Sequence, residues 1–431
     1  MEQDIDDVIR IIEDIHPYPY RFKSKDEIRS YSNRLKENLK DSLSISGFWR
    51  IIDELVVCYN DAHTSTFPYP LFHKFHRNGG LFFPFHVAIK NNELFITKTL
   101  EGQSELVGKK IMGINGIKDS TLIQDMLKHS KKELPNLKKH DISSNFPFYL
   151  WKTFGWKGPF NVELKDTILQ NDGANYEVVF KDWLSEDEDW FQYDQLHSDI
   201  AYIKISNFNA NRKNAKRRYK ETFKAINEKH TDHLILDFRN HDGGQDLLGE
   251  DLARYLYNKP FKRLKKTLWK VTPEYQKAFE KKYIPKALRW IKPLYLLNPY
   301  SKVLLKKKKN KGLYELDYKT TKPHRKAKRF KGNVYLLINN NTFSAGSVFA
   351  GMFQDYGMGE VIGQETGNLS SFSAYALVTH QLPNSKIKFR ISSAYSVRTN
   401  GDESKTPVEP DIRIATELDG LDYLLKKIRE N

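Results

Sequence analysis

Apolar residues recur at Ile5, Val8, Ile9, Ile12 and Ile15, the spacing of one helical face. The segment His16-Pro17-Tyr18-Pro19-Tyr20 breaks that pattern. A second helix is expected over 24–42. A third is expected from about Ser46 to Tyr59, carried by Phe48, Ile51, Ile52, Leu55 and Val56, and ending at Asn60-Asp61-Ala62-His63-Thr64. From about 78 to 165 the texture changes to strands. Phe82–Ile89 and Glu93–Thr97 flank an Asn91-Asn92 turn. Leu106–Gly116 reads as a strand punctuated by glycine, with a helix near 119–128. That order predicts a small β-rich module.

From about 176 strand and helix alternate. Ile200–Ile205 precedes a helix at 211–229, and Leu234–Phe238 precedes Gly243-Gly244 and a helix at 246–257. Val334–Ile338 precedes a helix from Ser344 to about Tyr356. Glu360–Gly363, strands at 374–379 and 387–397 and a last helix at 418–429 complete the series. This alternation predicts an α/β layer fold with mainly parallel strands.

Four places along this pattern could carry chemistry. Ser344 sits at a strand-to-helix turn, where free backbone N–H groups favour negative charge. A nucleophile in acyl transfer needs that setting, although serine at this position can also simply cap the helix. Asp237-Phe238-Arg239-Asn240-His241-Asp242-Gly243-Gly244 follows a buried strand, and paired glycines there let N–H groups converge on an oxyanion or merely make a sharp turn. His63 closes a helix and could take a proton near neutral pH. Gly401-Asp402-Glu403 could supply a carboxylate that orients an imidazole, or could be a solvated loop.

Composition narrows the reading. The net charge of +16 is local: residues 259–331 hold 25 Lys and Arg against 4 Asp and Glu, and the remainder is slightly acidic. The basic segment lies between the glycine turn and the Ser344 strand, which predicts a cap beside the site. Its charge could attract acidic substrates or an anionic surface. The stretch 287–305, with Trp290, Ile291, Leu294 and Tyr295 among lysines, has an interfacial pattern that a cap packed on the core would share. No recognition motif accompanies the charge, so nucleic acid is not an expected partner. One cysteine, Cys58, rules out an intrachain disulfide and a cysteine metal cluster. No run of 18 apolar residues and no signal-peptide pattern occurs, which predicts a cytoplasmic chain if the N-terminus is complete.

The ordered set resembles the serine peptidases that include the C-terminal processing (tail-specific) proteases and the tricorn core. The matching pieces are Asp-Phe-Arg-Asn-His-Asp-Gly-Gly, Asn-Asn-Asn-Thr-Phe-Ser-Ala-Gly-Ser, Phe-Gln-Asp-Tyr-Gly before Val-Ile-Gly-Gln-Glu-Thr-Gly, and Val-Glu-Pro-Asp-Ile. The resemblance implies a crotonase-like α/β core over 175–431 with the basic insert 259–331. It also implies an N-terminal helical domain over 1–72 and a PDZ-like β module over 76–170. Ser344 falls on the family nucleophile, His63 on the base of the tricorn-like branch, and Glu403, with Asp402 as alternative, on its acidic residue. The N–H of Ala345, with that of Gly243 or Gly244, falls on the oxyanion hole. Three positions depart from the family pattern: Leu369 stands where the processing proteases carry a lysine, Ala62 where the tricorn relay has a serine, and Ser347 where an acidic residue is common. The implied activity is hydrolysis of peptides or unfolded proteins with no cofactor. A non-catalytic binding protein, or another acyl-transfer or lyase activity on this fold, is the alternative.

Overall fold

The computed structural model describes residues 1–40, 42–100, 102–181, 189–283, 312–375, 377–415 and 419–430. The interfacial stretch 287–305 lies outside them. The chain forms two compact units: residues 1–186, 270–313 and 375–393, and residues 187–269, 314–374 and 394–431. Neither unit is one continuous stretch of chain.

The first unit opens with the three expected helices, α1 (Glu2–Ile15), α2 (Lys25–Glu37) and α3 (Ile45–Val57). Ser24 caps α2 in a capping box with Glu27, and Ser44 caps α3. The expected β module is built from two small sheets. One joins His86–Lys90, Glu93–Lys98 and Lys110–Ile111; the other joins Gly113–Ile114, Ile117–Lys118, Phe160–Glu163 and Ile168–Asn171. Helix α4 (Tyr69–Arg77) precedes the module, α5 (Asp119–Leu127) is the expected helix, and α6 (Pro135–Ser144) and α7 (Phe146–Phe154) interrupt the expected strand texture. Only α5 was legible in the pattern. In α7 every residue from Phe146 to Lys152 is buried, so its aromatic run carries no helical period to read.

The strand Ser65–Thr66, just past His63, pairs antiparallel with Lys388–Ile391, whose other neighbour is Val378–Gln381. The expected strands at 374–379 and 387–397 are therefore each broken in two. Phe372–Ala374 and Ala394–Val397 belong to a different sheet, with Lys266–Lys270 and Leu313–Asp317. The described ends of the basic segment thus supply two strands, and Lys262–Asp317 and Lys266–Glu315 ion pairs lie within it.

The second unit is organised on a six-stranded sheet: β1 (Phe191–His197), β2 (Ile200–Ile205), β3 (His233–Asp237), β4 (Asn333–Ile338), β5 (Glu360–Gly363) and β6 (Ile412–Arg413), adjacent in that order. All neighbours are parallel except β1 and β2. Leu234 and Leu236 of β3 face a core with Phe238 and Phe349, while Ile235 faces Leu337, Leu424 and Ile428. Burial on both faces explains why these strands read as unbroken apolar runs. Helix α8 (Arg212–Glu228) follows β2, α9 (Asp246–Leu256) follows β3 and α10 (Ala345–Asp355) follows β4.

A buried polar cluster ties α3 to the β module. Asp53 accepts from His129 Nδ1 at 2.7 Å and pairs with Lys152 Nζ at 3.0 Å. Burial opposes its ionisation, but Lys152 and His129 hold its pKa below the usual carboxylate value. Asp53→Ala should leave the Lys152 charge buried without this partner and cost about 3–5 kcal/mol, read from the urea midpoint; a loss below about 1 kcal/mol would show that the cluster does not brace the unit.

Candidate active site

Strands β3 and β4 end level, with Asp237 opposite Leu337, so their C-terminal turns lie side by side. The turns are sewn together. Phe343 N–H donates to His241 O at 2.8 Å, Thr342 Oγ1 to Phe238 O at 2.8 Å, and Asn240 N–H to Asn339 Oδ1 at 3.0 Å. Ser344 follows, partly exposed, with φ 55° and ψ −115°. A left-handed backbone at a non-glycine residue costs about 1–3 kcal/mol and needs surrounding contacts to hold it. Ser344 occupies the N-cap position of α10, yet its side chain makes no capping hydrogen bond. The plain-cap reading of this serine therefore fails.

Two sets of contacts hold the turn. Asn368 Oδ1 accepts from Ser344 N–H at 2.7 Å and from Ser347 Oγ at 2.8 Å, and Asn368 Nδ2 donates to Leu369 O. Thr366 Oγ1 donates to Asn368 O and accepts from Val408 N–H, which joins the Val408-Glu409-Pro410 segment to the turn. On the other side, Gly243 has φ 102°, and a Cβ there would lie 2.7 Å from Ser344 Cβ and 3.2 Å from its Oγ. A side chain at 243 would occupy the space over the serine, which is the physical need for glycine.

His241 is fully buried between Phe208 and Phe238, and its ring stacks on Phe238 at 5.0 Å. Its Nδ1 accepts from Gly243 N–H at 3.0 Å, so Nε2 carries the proton in the neutral ring. Burial pushes its pKa down to about 3. Among the described residues, no acceptor takes the N–H of Gly244 or Ala345. The sequence pattern gives no role to His241 or to Asn368, although Leu369 beside it stood out for not being a lysine.

The loop 398–403 is attached to the same helix. Asp355, at the end of α10, accepts from Arg398, Thr399 and the N–H of Asn400. Asp402 is committed locally, accepting from Ser404 N–H at 2.9 Å and Ser404 Oγ at 2.8 Å. Glu403 is exposed.

His63 belongs to the first unit. Asp61 Oδ1 accepts from His63 N–H at 3.0 Å, and Asp61 Oδ2 accepts from Thr64 Oγ1 at 2.5 Å and pairs with His16 Nε2 at 2.9 Å. His16 Nδ1 accepts from Tyr18 N–H, so His16 Nε2 is the donor to Asp61. Burial opposes ionisation of Asp61, but His16, His63 and Thr64 hold it well below the usual carboxylate range. His63 is 6% exposed, and burial pushes its imidazole down to about 3; Asp61 opposes this, while Lys131, Arg390 and Lys132 add to it. Nearby Glu133 moves the other way: burial and Asp61 raise it to about 8, against Lys132 and the N–H groups of Glu133 and Ala62. Among the described residues no group of three or more His, Cys, Asp or Glu could hold a metal, and no helix is long and apolar enough to cross a membrane.

The comparisons agree with this layout. The family model for Peptidase family S41 matches residues 199–414, half of the chain. No protein of curated function matches. Solved structures do. A serine-to-alanine mutant of CPAF aligns with TM-score 0.66 and 13% identity, covering 100% of this chain and 96% of that one. Mature CPAF complexed with lactacystin aligns with TM-score 0.64 and 13% identity, covering 99% and 97%. The chain belongs to peptidase family S41 and is a serine peptidase.

Two outcomes test the local construction. Asn368→Leu removes the acceptor of the half-buried Ser344 N–H, while the Ser347 hydroxyl keeps Thr342 O, and should cost about 1–2 kcal/mol in urea unfolding; an unchanged midpoint would mean that Ser344 is not held by it. The His241 value is below the ordinary histidine value of 6.5, so the unfolded chain binds the extra proton between them. Its contribution to stability is full above pH 6.5 and is lost as pH falls toward 3. Wild type should lose about 2.5–3 kcal/mol relative to His241→Gln between pH 7.5 and 4.5; parallel pH curves would contradict a buried neutral ring.

Proposed function

We propose that the chain hydrolyses peptide bonds through an acyl-enzyme on Ser344, with His63 as general base. The observation that carries this reading is the strained, partly exposed Ser344 at the head of α10 with no capping bond. Its hydroxyl is presented where helix N–H groups stabilise negative charge. The oxyanion is held by the N–H of Ala345 with one from the glycine turn. Gly243 N–H is engaged by His241, which favours Gly244 as the second donor.

In this mechanism the neutral His63 accepts the Ser344 proton as Oγ attacks the carbonyl, then gives it to the leaving amine. Water attacks the acyl-enzyme, His63 again takes the proton, and the acid product leaves. The ionised Asp61 beside it is the group that favours the imidazolium as it forms. Glu403 completes the charge network; the local commitment of Asp402 supports Glu403 over it. The substrate is a peptide or unfolded protein. In the same reading residues 76–170 are a PDZ-like module and 175–431 a crotonase-like core, as family membership suggests.

Cleavage of a mixed peptide and unfolded-protein library, read by mass spectrometry, tests the assignment. Ser344→Ala and His63→Ala should each lose at least about 10⁴-fold in rate with the fold intact by thermal melting. Cuts that persist in His63→Ala would mean a different base. Because His63 is held neutral down to about 3, kcat/KM should have no acid limb near 6.5 from this group. A limb at 6.5 that disappears when His63 is replaced in a residually active variant would show an imidazole open to solvent.

A further inference from the structure

A cavity wholly within the first unit has a volume of about 470 Å³. Its apolar walls include Ile45 and Trp49 of α3, Phe67, Leu71 and Ile387. The size lies in the range that encloses a small ligand. Ile45 and Tyr69, both lining it, are 49% and 54% exposed, so an occupant would remove large apolar surface from water. The charged lining residues are Lys386 and Lys388, both exposed. Lys386 Nζ donates to Pro383 O at 2.6 Å. No acidic side chain lines the cavity.

Apolar walls and a purely cationic rim ask for an occupant with an apolar body and one anionic end. Strand Lys388–Ile391, which carries one of the lysines, lies between Ser65–Thr66 and Val378–Gln381 in its sheet, so its ladder groups are engaged on both sides at Phe389 and Arg390. A peptide would have to pair with the edge strand Val378–Gln381, of which only Thr379 lines the cavity, and each amide left unpaired costs about 1–3 kcal/mol. An unbranched hydrocarbon chain carries no such groups. We propose that this cavity binds a medium- to long-chain carboxylate, with its chain against Trp49 and Leu71 and its head between Lys386 and Lys388. The site is separate from peptide hydrolysis and does not rest on the assignment of Ser344 or His63.

The test is displacement of a dansyl-labelled undecanoic acid from the full chain by dodecanoate, with 1-dodecanol as the uncharged control. Dodecanoate should displace the probe saturably. Lys386→Gln/Lys388→Gln should weaken it about tenfold, the scale of two exposed ion pairs. Thr379→Trp, at an exposed lining position, should block the cavity and abolish binding. Thermal melting of both variants confirms that they fold. Three results would overturn the proposal: no displacement, equal displacement by 1-dodecanol, or undiminished binding in the double lysine variant.

Discussion

Two parallel strands that end level set the constraint on which the candidate site depends. Because β3 and β4 stop at the same height, the turns that leave them must share one small volume. Ser344 enters it in a left-handed conformation, and Gly243 meets it without a side chain. The strain at one residue is small beside the cooperative energy of a sheet buried on both faces. It is directed by named donors and acceptors, above all Asn368, whose single amide oxygen serves both the serine N–H and the Ser347 hydroxyl. A carboxylate at 347 would meet that oxygen as a repulsive neighbour, whereas the Ser347 hydroxyl can donate to it.

The electrostatics of the two histidines differ in purpose. His241 is neutral because it is sealed between aromatic rings, and its role is to accept one backbone proton. His63 is neutral under burial but has a carboxylate, Asp61, held ionised beside it by His16 and Thr64. The first environment offers nothing to stabilise an imidazolium. The second does, which is the setting that the base role proposed for His63 requires.

Much of the second unit was legible because each element agreed with itself: strands were continuous apolar runs and helices carried a period. The turns carrying Ser344 and the paired glycines stood out because turn chemistry punctuates those runs. Helix α7 was missed because burial on all sides erases its period at Phe146–Lys152, whereas α4 and α6 bury only Phe72, and Leu137 with Ile142, too few apolar positions to mark a face. The broken strands at 375–377 and 392–393 were missed because a change of sheet leaves no mark on alternation. Asn368 and His241 were invisible for a related reason: a buried polar side chain announces itself only through partners distant in sequence.

The pairing of Ser65–Thr66 with Lys388–Ile391 has a consequence for synthesis. More than 300 residues separate the two strands, so the segment carrying His63 leaves the ribosome long before its β partner exists. At ordinary elongation rates, about 5–20 residues per second, that interval lasts on the order of tens of seconds. During it, Asp61 and His16 can form their local contacts, but the strand beyond them has no ladder. A nascent serine peptidase is thereby kept incomplete until nearly the whole chain has been made.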